Sequence, residues 1–401
     1  MFSEIISDAN LRAAYLKIVE QFTIEGKSAS YHGLDNLLLE HYDLRSEELL
    51  LLIREELVSE KEISPALLVK IPKKNNPEKN REIFIYSLKE RIKAQAIFQI
   101  VLPVFEKNFS DRLFSYRPGK PPYLAAKYFG HRYRRDFSQD YALIIDLENY
   151  SDLIDRQLLS GRLEEIFSDQ KVLAVLRLFI FNCAYRDGKM VMPQFGLIQG
   201  VPLIAEFANF YLSDLDFKYQ KLVPFYLRVG DDIAILDQND DKLEVIKKEM
   251  SADLLARKLR INENKLYCGP AKSKFSFLGY CFEGGLISLE QGYLRRIETE
   301  WKKLLSYKHL PDKRKDYLLR KIMIEEKNNF NFRFEKIIKD KPQINDSKQI
   351  RDCSERFFQI MTKFFYGHYS PRNRRLLEKR LGHLGIFSLY HFYKKFHYER
   401  N

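Results

Sequence analysis

The chain of 401 residues has one tryptophan, four cysteines and no long apolar run. A membrane-spanning helix needs about 18 or more consecutive apolar residues. The longest candidate, Val172 to Phe181, is too short and is broken by Arg177, so no membrane segment is expected. The start, Met1-Phe-Ser-Glu-Ile-Ile-Ser-Asp8, is acidic. It lacks the basic-then-apolar order of a secretory signal, and the expected location is cytoplasmic. Cys183, Cys268, Cys281 and Cys353 are far apart and show no paired metal spacing, which excludes the usual zinc sites. They read as reduced thiols. There is no internal repeat and no low-complexity segment, so neither a solenoid nor a disordered tract is expected.

What is present is a globular composition, 45% apolar, with 30 Phe and 24 Tyr. This length allows two or three domains and a sizeable core. The net charge of +12 is unevenly spread. From Leu286 to Asn401 there are 27 Lys and Arg against 14 Asp and Glu; the rest of the chain holds 40 against 41. A basic segment rich in Phe, Tyr and Arg suits contact with a phosphate backbone together with base stacking. The plainer alternative is a solvated helical face. Arg372, Arg374 and Arg375 are candidate nucleic-acid contacts in this segment.

The apolar spacing gives an α+β pattern. Residues 1–60 read as helices, with Leu11, Ala14, Tyr15, Ile18 and Val19 on one face and Leu49, Leu50, Ile53 and Leu57 on another. A Gly33-Leu34-Asp35 turn separates them. Two strand-like runs, 67–72 and 81–86, flank a polar Lys73–Asn80 stretch that reads as a hairpin loop. A helix over about 88–105 follows, then the rigid Arg117-Pro-Gly-Lys-Pro-Pro122 loop, then a basic helix over 124–135. Beyond it come a strand at 141–146, helices within 153–185, a helix at 203–218, strands within 225–236, a helix at 240–258 and strands within 275–289. The tail reads as helical, with 339–346 as a loop.

Two acidic segments carry the chemistry. Tyr141-Ala-Leu-Ile-Ile-Asp146 and Phe225-Tyr-Leu-Arg-Val-Gly-Asp231-Asp232 each put carboxylates at the end of, or between, short β-like runs. Nucleotidyl transfer uses two divalent ions about 3.5–4 Å apart, one activating a 3′-hydroxyl and one gripping the triphosphate. Carboxylates from two strands can meet and hold both. Between them, Phe195-Gly-Leu-Ile-Gln199-Gly200-Val-Pro-Leu203 leads into an apolar helix.

The order of these segments over residues 5–285 resembles the bacterial reverse transcriptases related to group II introns, retrons and the defence-associated, abortive-infection-like enzymes. Ile71-Pro-Lys73-Lys74 and Arg81-Glu-Ile are similar to that family's fingers hairpin. Lys89, Lys93 and Gln95 fall in its following helix. Ser115-Tyr-Arg117-Pro-Gly-Lys120 resembles its "GYRPGR" loop, and Asp146 opens the match to motif A. Gly196 to Leu203 with Ala208-Asn209 resembles motif B, and Arg228-Val-Gly-Asp231-Asp232 resembles motif C. Asn262-Glu-Asn-Lys265 resembles the motif D lysine segment, and Phe275-Ser-Phe-Leu278-Gly279 the "FLG" turn.

The resemblance implies a right-hand polymerase. The N-terminal helices and fingers would occupy 1–135, a palm of antiparallel sheet and helices 136–285, and a basic helical thumb and RNA-binding region 286–401. It implies Asp146, Asp231 and Asp232 as ligands of two Mg2+, with Mn2+ as a substitute. Lys73 or Lys74 and Arg81 would neutralise the triphosphate. Gln199 and Gly200 would lie under the templating base pair, and Lys265 would protonate pyrophosphate. Arg117 would hold template phosphate or, equally, a buried ion pair. The implied partners are dNTPs, a noncoding RNA and the DNA product, with a homo-oligomer or partner protein left open.

Three departures stand out. Where the family has an aromatic pair after the motif A Asp, this chain has Tyr150-Ser151; a small residue at the sugar gate predicts weaker discrimination against ribonucleotides, unless Tyr150 shields the sugar. Motif C reads Val-Gly-Asp-Asp instead of Tyr-Ala-Asp-Asp. Motif B has Val201 and Ile204 in place of serines, followed by Glu206, an acid that would repel a template phosphate or meet an unusual substrate. The alternatives are an RNA polymerase, with Asp152 as ribose-sensing acid, a template-independent nucleotidyltransferase, a retron-type enzyme, or a polymerase-shaped binding subunit. Motif B argues against the RNA polymerase, and the absence of a Val-Thr-Gly segment against the retron. No stretch suits an endonuclease, maturase or ribonuclease H. A compact defence-type enzyme acting with a noncoding RNA against phage is the expectation that remains, with its mode of priming open.

Overall fold

The computed structural model describes residues 1–25, 35, 46–73, 76–304, 314–315, 317, 330–383 and 387–398. The N-terminal periodicity becomes helices α1 (Phe2–Ile5), α2 (Asp8–Glu25) and α3 (Ser46–Val58). Leu11, Ala14 and Ile18 of α2 are buried, as are Leu49, Leu50, Ile53 and Leu57 of α3. Of the expected turn at 33–35, only Asp35 lies within the described residues.

Strands β1 (Ala66–Lys73) and β2 (Asn76–Ile85) pair antiparallel from Leu67↔Ile85 to Lys73↔Asn76. The stretch expected to be a loop over 73–80 is therefore mostly strand. A register irregularity between Pro72 and Lys73 accommodates a residue that has no N–H to give. Helix α4 (Leu88–Lys107) starts at Ser87, whose side chain accepts from the Glu90 N–H at 3.3 Å. Lys89 and Lys93 of this helix are committed to acids. Lys89 Nζ lies 2.8 Å from Glu56, and the buried Lys93 bonds Glu56 and reaches Glu90 at 3.2 Å. A fully buried lysine is stable only with such partners.

The chain continues through α5 (Pro122–Arg132), a π-helical turn (Tyr133–Phe137), β3 (Tyr141–Asp146), α6 (Tyr150–Leu153), α7 (Arg156–Leu163) and α8 (Gln170–Ile180). Next come β4 (Ala184–Arg186), β5 (Lys189–Val191), α9 (Pro202–Tyr211), α10 (Ser213–Leu222), β6 (Phe225–Val229), β7 (Asp232–Asp237) and α11 (Asp240–Ala256). The last third holds β8 (Tyr267–Pro270), β9 (Phe275–Phe277), β10 (Tyr280–Glu283), β11 (Leu286–Leu289) and helices α12 (Gln291–Leu304), α13 (Phe330–Asp340), α14 (Ser347–Tyr366), α15 (Pro371–His383) and α16 (Leu389–Tyr398). Two details differ from the sequence reading. The helix expected at 203–218 is two helices, broken at Leu212. The end of the expected 153–185 helical region carries a short hairpin, β4–β5, turning through Asp187 and Gly188, both at positive φ.

The described sheets have the orders β2-β1-β4-β5, β11-β10-β9 and β6-β7-β3-β8. In the first, β1 runs parallel to β4, with Ala66 opposite Ala184. In the third, Ala142 to Ile145 of β3 are all buried, the mark of a strand covered on both faces.

The chain forms two compact units, one of residues 1–121, 144–235 and 244–266, the other of 122–143, 236–243 and 267–401. These cut across the linear division into 1–135, 136–285 and 286–401, because the chain leaves and re-enters each unit. The first unit has an aromatic centre. The Phe105 ring of α4 meets Phe167, Phe207 and Phe210 edge-on, with centroids at 5.4, 6.1 and 5.8 Å. The second unit buries Phe129, Tyr133, Phe275, Phe277 and Phe282 together. Its helical part is built on the sole tryptophan, Trp301, which contacts Phe334 and Phe357 edge-on.

Candidate active site

Strand β3 ends on Asp146, and β6 and β7 are joined by the two-residue turn Gly230-Asp231. The Leu147 N–H donates to the Asp231 carbonyl at 3.2 Å. That bond sets the two acid-bearing residues on neighbouring strand ends, as the two-strand reading requires.

A second chain segment closes on Asp146. The Asn262 N–H donates to the Asp146 carbonyl at 2.8 Å, and the Glu148 N–H donates to the Arg260 carbonyl at 2.9 Å. The following turn brings two side chains to the carboxylate. Lys265 Nζ donates to Asp146 Oδ2 at 2.6 Å, and Asn262 Nδ2 donates to Oδ1 at 3.0 Å. The hydrogen bond to Asp146 raises the Lys265 pKa, and the charges of Asp146, Asp232 and Asp231 raise it further. Asp231 has surface open to solvent but is walled by protein. Its carboxyl is pushed above the usual range, first by burial and then by the negative charge of Asp146.

These groups line a cavity of about 750 Å3 within the first unit. Asp146, Tyr150, Ser151, Gln199, Gly200, Asp231 and Lys265 are all on its wall; Asp232 is not. Gln199 Nε2 donates to Ser151 Oγ at 2.6 Å. The Tyr150 ring is buried, and its hydroxyl donates to the Ala208 carbonyl of α9. Burial raises the pKa of that phenol, which keeps it a donor. Gly200 has φ +124, and a Cβ there would lie 2.7 Å from the Phe84 carbonyl and 3.3 Å from the Tyr86 ring. Its lack of a side chain serves the approach of β2 and the segment after it. Gly196 is matched in the same way to the backbone of Asp152. Asp152 itself does not line the cavity.

Other expected residues lie elsewhere. Lys73 and Arg81 stand on the paired strands β1 and β2, but their side chains lie outside the described residues. Arg117 is a correction. Its guanidinium is buried and donates to Glu106 at 2.8–3.1 Å and to the carbonyls of Ser110 (2.6 Å) and Leu113 (3.1 Å). All its nitrogens are used to hold its own loop, which leaves none for a template phosphate. Arg374 is a second correction. It bonds Glu355 at 2.9 Å, also pairs with Glu378, and lies over the Phe358 ring. Arg372 and Arg375 are exposed on α15. Glu206 does not reach the cavity either. It is 1% exposed, and its Oε2 has no hydrogen-bond partner among the described residues. Burial first, then the charge of Glu106, pushes its carboxyl up to about 8.

Sequence reasoning assigned no role to Asn262, Tyr116 or Ser115. Asn262 grips Asp146, and Tyr116 is an exposed ring on the cavity wall. Proximity to Lys265 and Arg117 was the one available signal, and it says nothing about direction.

Asp146 and Asp231 offer hard oxygen donors, and the repulsion felt by Asp231 is what a divalent cation relieves. Among the described residues no three acidic, imidazole or thiol groups are already assembled as ligands, and both Asp146 oxygens are held by Lys265 and Asn262. The chemistry of the donor set fits a hard cation; the grouping requires Asp146 to exchange partners.

The family described as reverse transcriptase (RNA-dependent DNA polymerase) matches residues 71–282, more than half of the chain and all of the cavity wall. The chain belongs to the reverse transcriptase family. The family is described as RNA-dependent DNA polymerases, and reverse transcriptases use divalent metal ions. No curated protein matches the sequence. Among solved structures, this reverse transcriptase is similar to a telomerase from Candida albicans determined with a fragment of telomeric RNA. The identity is 14% and the TM-score 0.47, over 80% of this chain. The alignment spans 64% of that chain, less than two thirds of its length.

Proposed function

We propose that this reverse transcriptase extends a primer with dNTPs on an RNA template, using two Mg2+ ions held by Asp146 and Asp231 with Asp232 beside them. The observation that carries this reading is the meeting of the Asp146 and Asp231 strand ends on one cavity with Gln199, Gly200 and Lys265. When bound, the ions supply the charge that activates the primer hydroxyl and grips the triphosphate. The chain's own groups do the rest. Gln199 and Gly200 form the wall facing the incoming pair. Lys265, with 61% of its side chain exposed, is placed to hold a proton for the leaving pyrophosphate. Lys73 and Arg81 supply positive charge from the hairpin.

The basic tail, with the exposed Arg372 and Arg375, is proposed to hold a structured noncoding RNA. The setting is proposed to be cytoplasmic antiviral defence, in the compact group II intron- and retron-related lineage that the motif order resembles. Sequencing nucleic acid bound to the purified protein, beside an Asp231→Asn control, tests this. RNA in both samples and DNA copied from it only in the wild type is the expected result. DNA in both samples, or no nucleic acid in either, would overturn it.

One observation favours relaxed sugar selection as a second reading. The residue after Tyr150 is a serine on the cavity wall, its hydroxyl bonded to Gln199 where the family places a ring.

A further inference from the structure

Gly230 precedes Asp231 in the turn between β6 and β7, and its φ of +66 is a conformation that side-chain-bearing residues rarely adopt. A Cβ at Gly230 would meet nothing within 4 Å. The glycine is therefore required by the backbone angle and not by space. Such a turn keeps its shape only if the surroundings fix it.

Both backbone groups of Gly230 are fixed by buried side chains. Its N–H donates to Ser115 Oγ at 2.9 Å, and its carbonyl accepts from Arg228 Nη1 at 3.0 Å. The Ser115 hydroxyl has its direction set, since it donates to Asn209 Oδ1 at 2.9 Å while Asn209 Nδ2 donates back to the Ser115 carbonyl at 2.8 Å. Ser115 is 3% exposed and Asn209 1%. Arg228 is fully buried and forked onto Asp216 at 2.6 and 2.7 Å; its Nη2 also donates to the Asn209 carbonyl at 2.9 Å. The loop bearing Ser115 is tied to the same strand, with the Phe114 N–H on the Arg228 carbonyl and the Arg228 N–H on the Arg112 carbonyl, both at 2.9 Å. Arg117 holds that loop from its other side.

We infer that Ser115 is a positioning residue for Asp231: with Arg228 it clamps the Gly230 peptide and so sets where the Asp231 carboxylate stands toward Asp146. The Leu147–Asp231 bond anchors the far side of the same residue. Removing the hydroxyl strips a partner from the part-buried Gly230 N–H and from the buried Asn209 Oδ1, and a buried group left so is driven to rearrange. The turn then drifts and the Asp231 oxygens lose their aim.

This inference rests on the proposed metal site, and the test separates the two. Mn2+ binding to the full chain is measured without nucleotide, by electron paramagnetic resonance, for the wild type, Asp231→Asn, Ser115→Ala and Gly230→Ala. Groups that orient metal ligands affect affinity by about 10–100-fold when removed. The expected result is that Asp231→Asn loses the site, while Ser115→Ala and Gly230→Ala weaken Mn2+ binding at least about tenfold. In turnover, Ser115→Ala should lower kcat with little change in the dNTP KM, and added Mn2+ should restore it in part. If Asp231→Asn binds like the wild type, the metal reading fails. If Asp231→Asn loses Mn2+ but Ser115→Ala and Gly230→Ala retain wild-type affinity, the positioning role alone fails. Should Ser115→Ala not fold, Gly230→Ala decides by the same criterion.

Discussion

Ser151 and Gln199 meet across the cavity wall through a single 2.6 Å hydrogen bond, and under the proposed function that contact replaces bulk with polarity beside the incoming nucleotide. Ser151→Phe is expected to raise the preference for dNTPs over rNTPs by about tenfold or more, on the scale of 1.4 kcal/mol per tenfold. Competitive incorporation of labelled dNTP and rNTP measures it, and unchanged selectivity contradicts the role. Glu206 gives a pH signature. Its carboxyl titrates near the ordinary 4.5 when unfolded and at about 8 when folded. Between those values the unfolded chain releases a proton that the folded chain keeps, so stability falls as pH rises from about 4.5 to about 8. Glu206→Gln removes the titration. Denaturation midpoints compared from pH 5 to 8 should show the wild type losing stability relative to the variant as pH rises; parallel curves would contradict this.

The elements depend on a few close approaches. Gly200 lets β2 and the start of α9 come together, and Gly200→Ala would drive a Cβ into the Phe84 carbonyl at a φ of +124. A loss of about 2 kcal/mol or more is expected, read from chemical denaturation, together with lower activity as the Gln199–Gly200 wall of the cavity shifts. The β6–β7 turn depends on the buried Arg228–Asp216 pair. Asp216→Ala leaves the guanidinium buried without its counter-charge, a change that costs about 3–5 kcal/mol; a variant as stable as the wild type would contradict the structural account. These contacts also explain what the sequence could tell. Asp146 and Asp231 could be paired from residue type and strand-end position, whereas Gln199, Gly200 and Lys265 were singled out only by the resemblance to the reverse transcriptase motifs; all five line one cavity. Arg117 was not, since an arginine in a Pro-Gly loop looks the same whether it faces phosphate or Glu106. Ser115, Asn209 and Asn262 act on atoms far away in sequence, where no spacing rule reaches. The β4–β5 strands, three residues each, are too short to show alternation, and the polar 73–80 stretch hid a strand ladder carried past Pro72 by a bulge.

At the level of the whole molecule, the two compact units are discontinuous in sequence, which is why a linear reading placed the boundaries elsewhere. The apolar periodicity still identified most helices, because burial of one face leaves its mark locally. The basic character of the last third is a sum of 27 Lys and Arg against 14 Asp and Glu, and it outlasts the pairing of Arg374 with Glu355 and Glu378. RNA is expected to copurify at low salt and to leave as salt rises, with the logarithm of affinity falling linearly in the logarithm of salt concentration. RNA-free protein at low salt would contradict that. The proposed activity of the Asp146–Asp231 site is the copying of RNA into DNA. Its most direct measurement is incorporation of labelled dNTPs on a primed RNA template with Mg2+, by the wild type and Asp231→Asn. Template-directed DNA from the wild type and none from the variant is the predicted result; equal product from both, or none from the wild type, would contradict it.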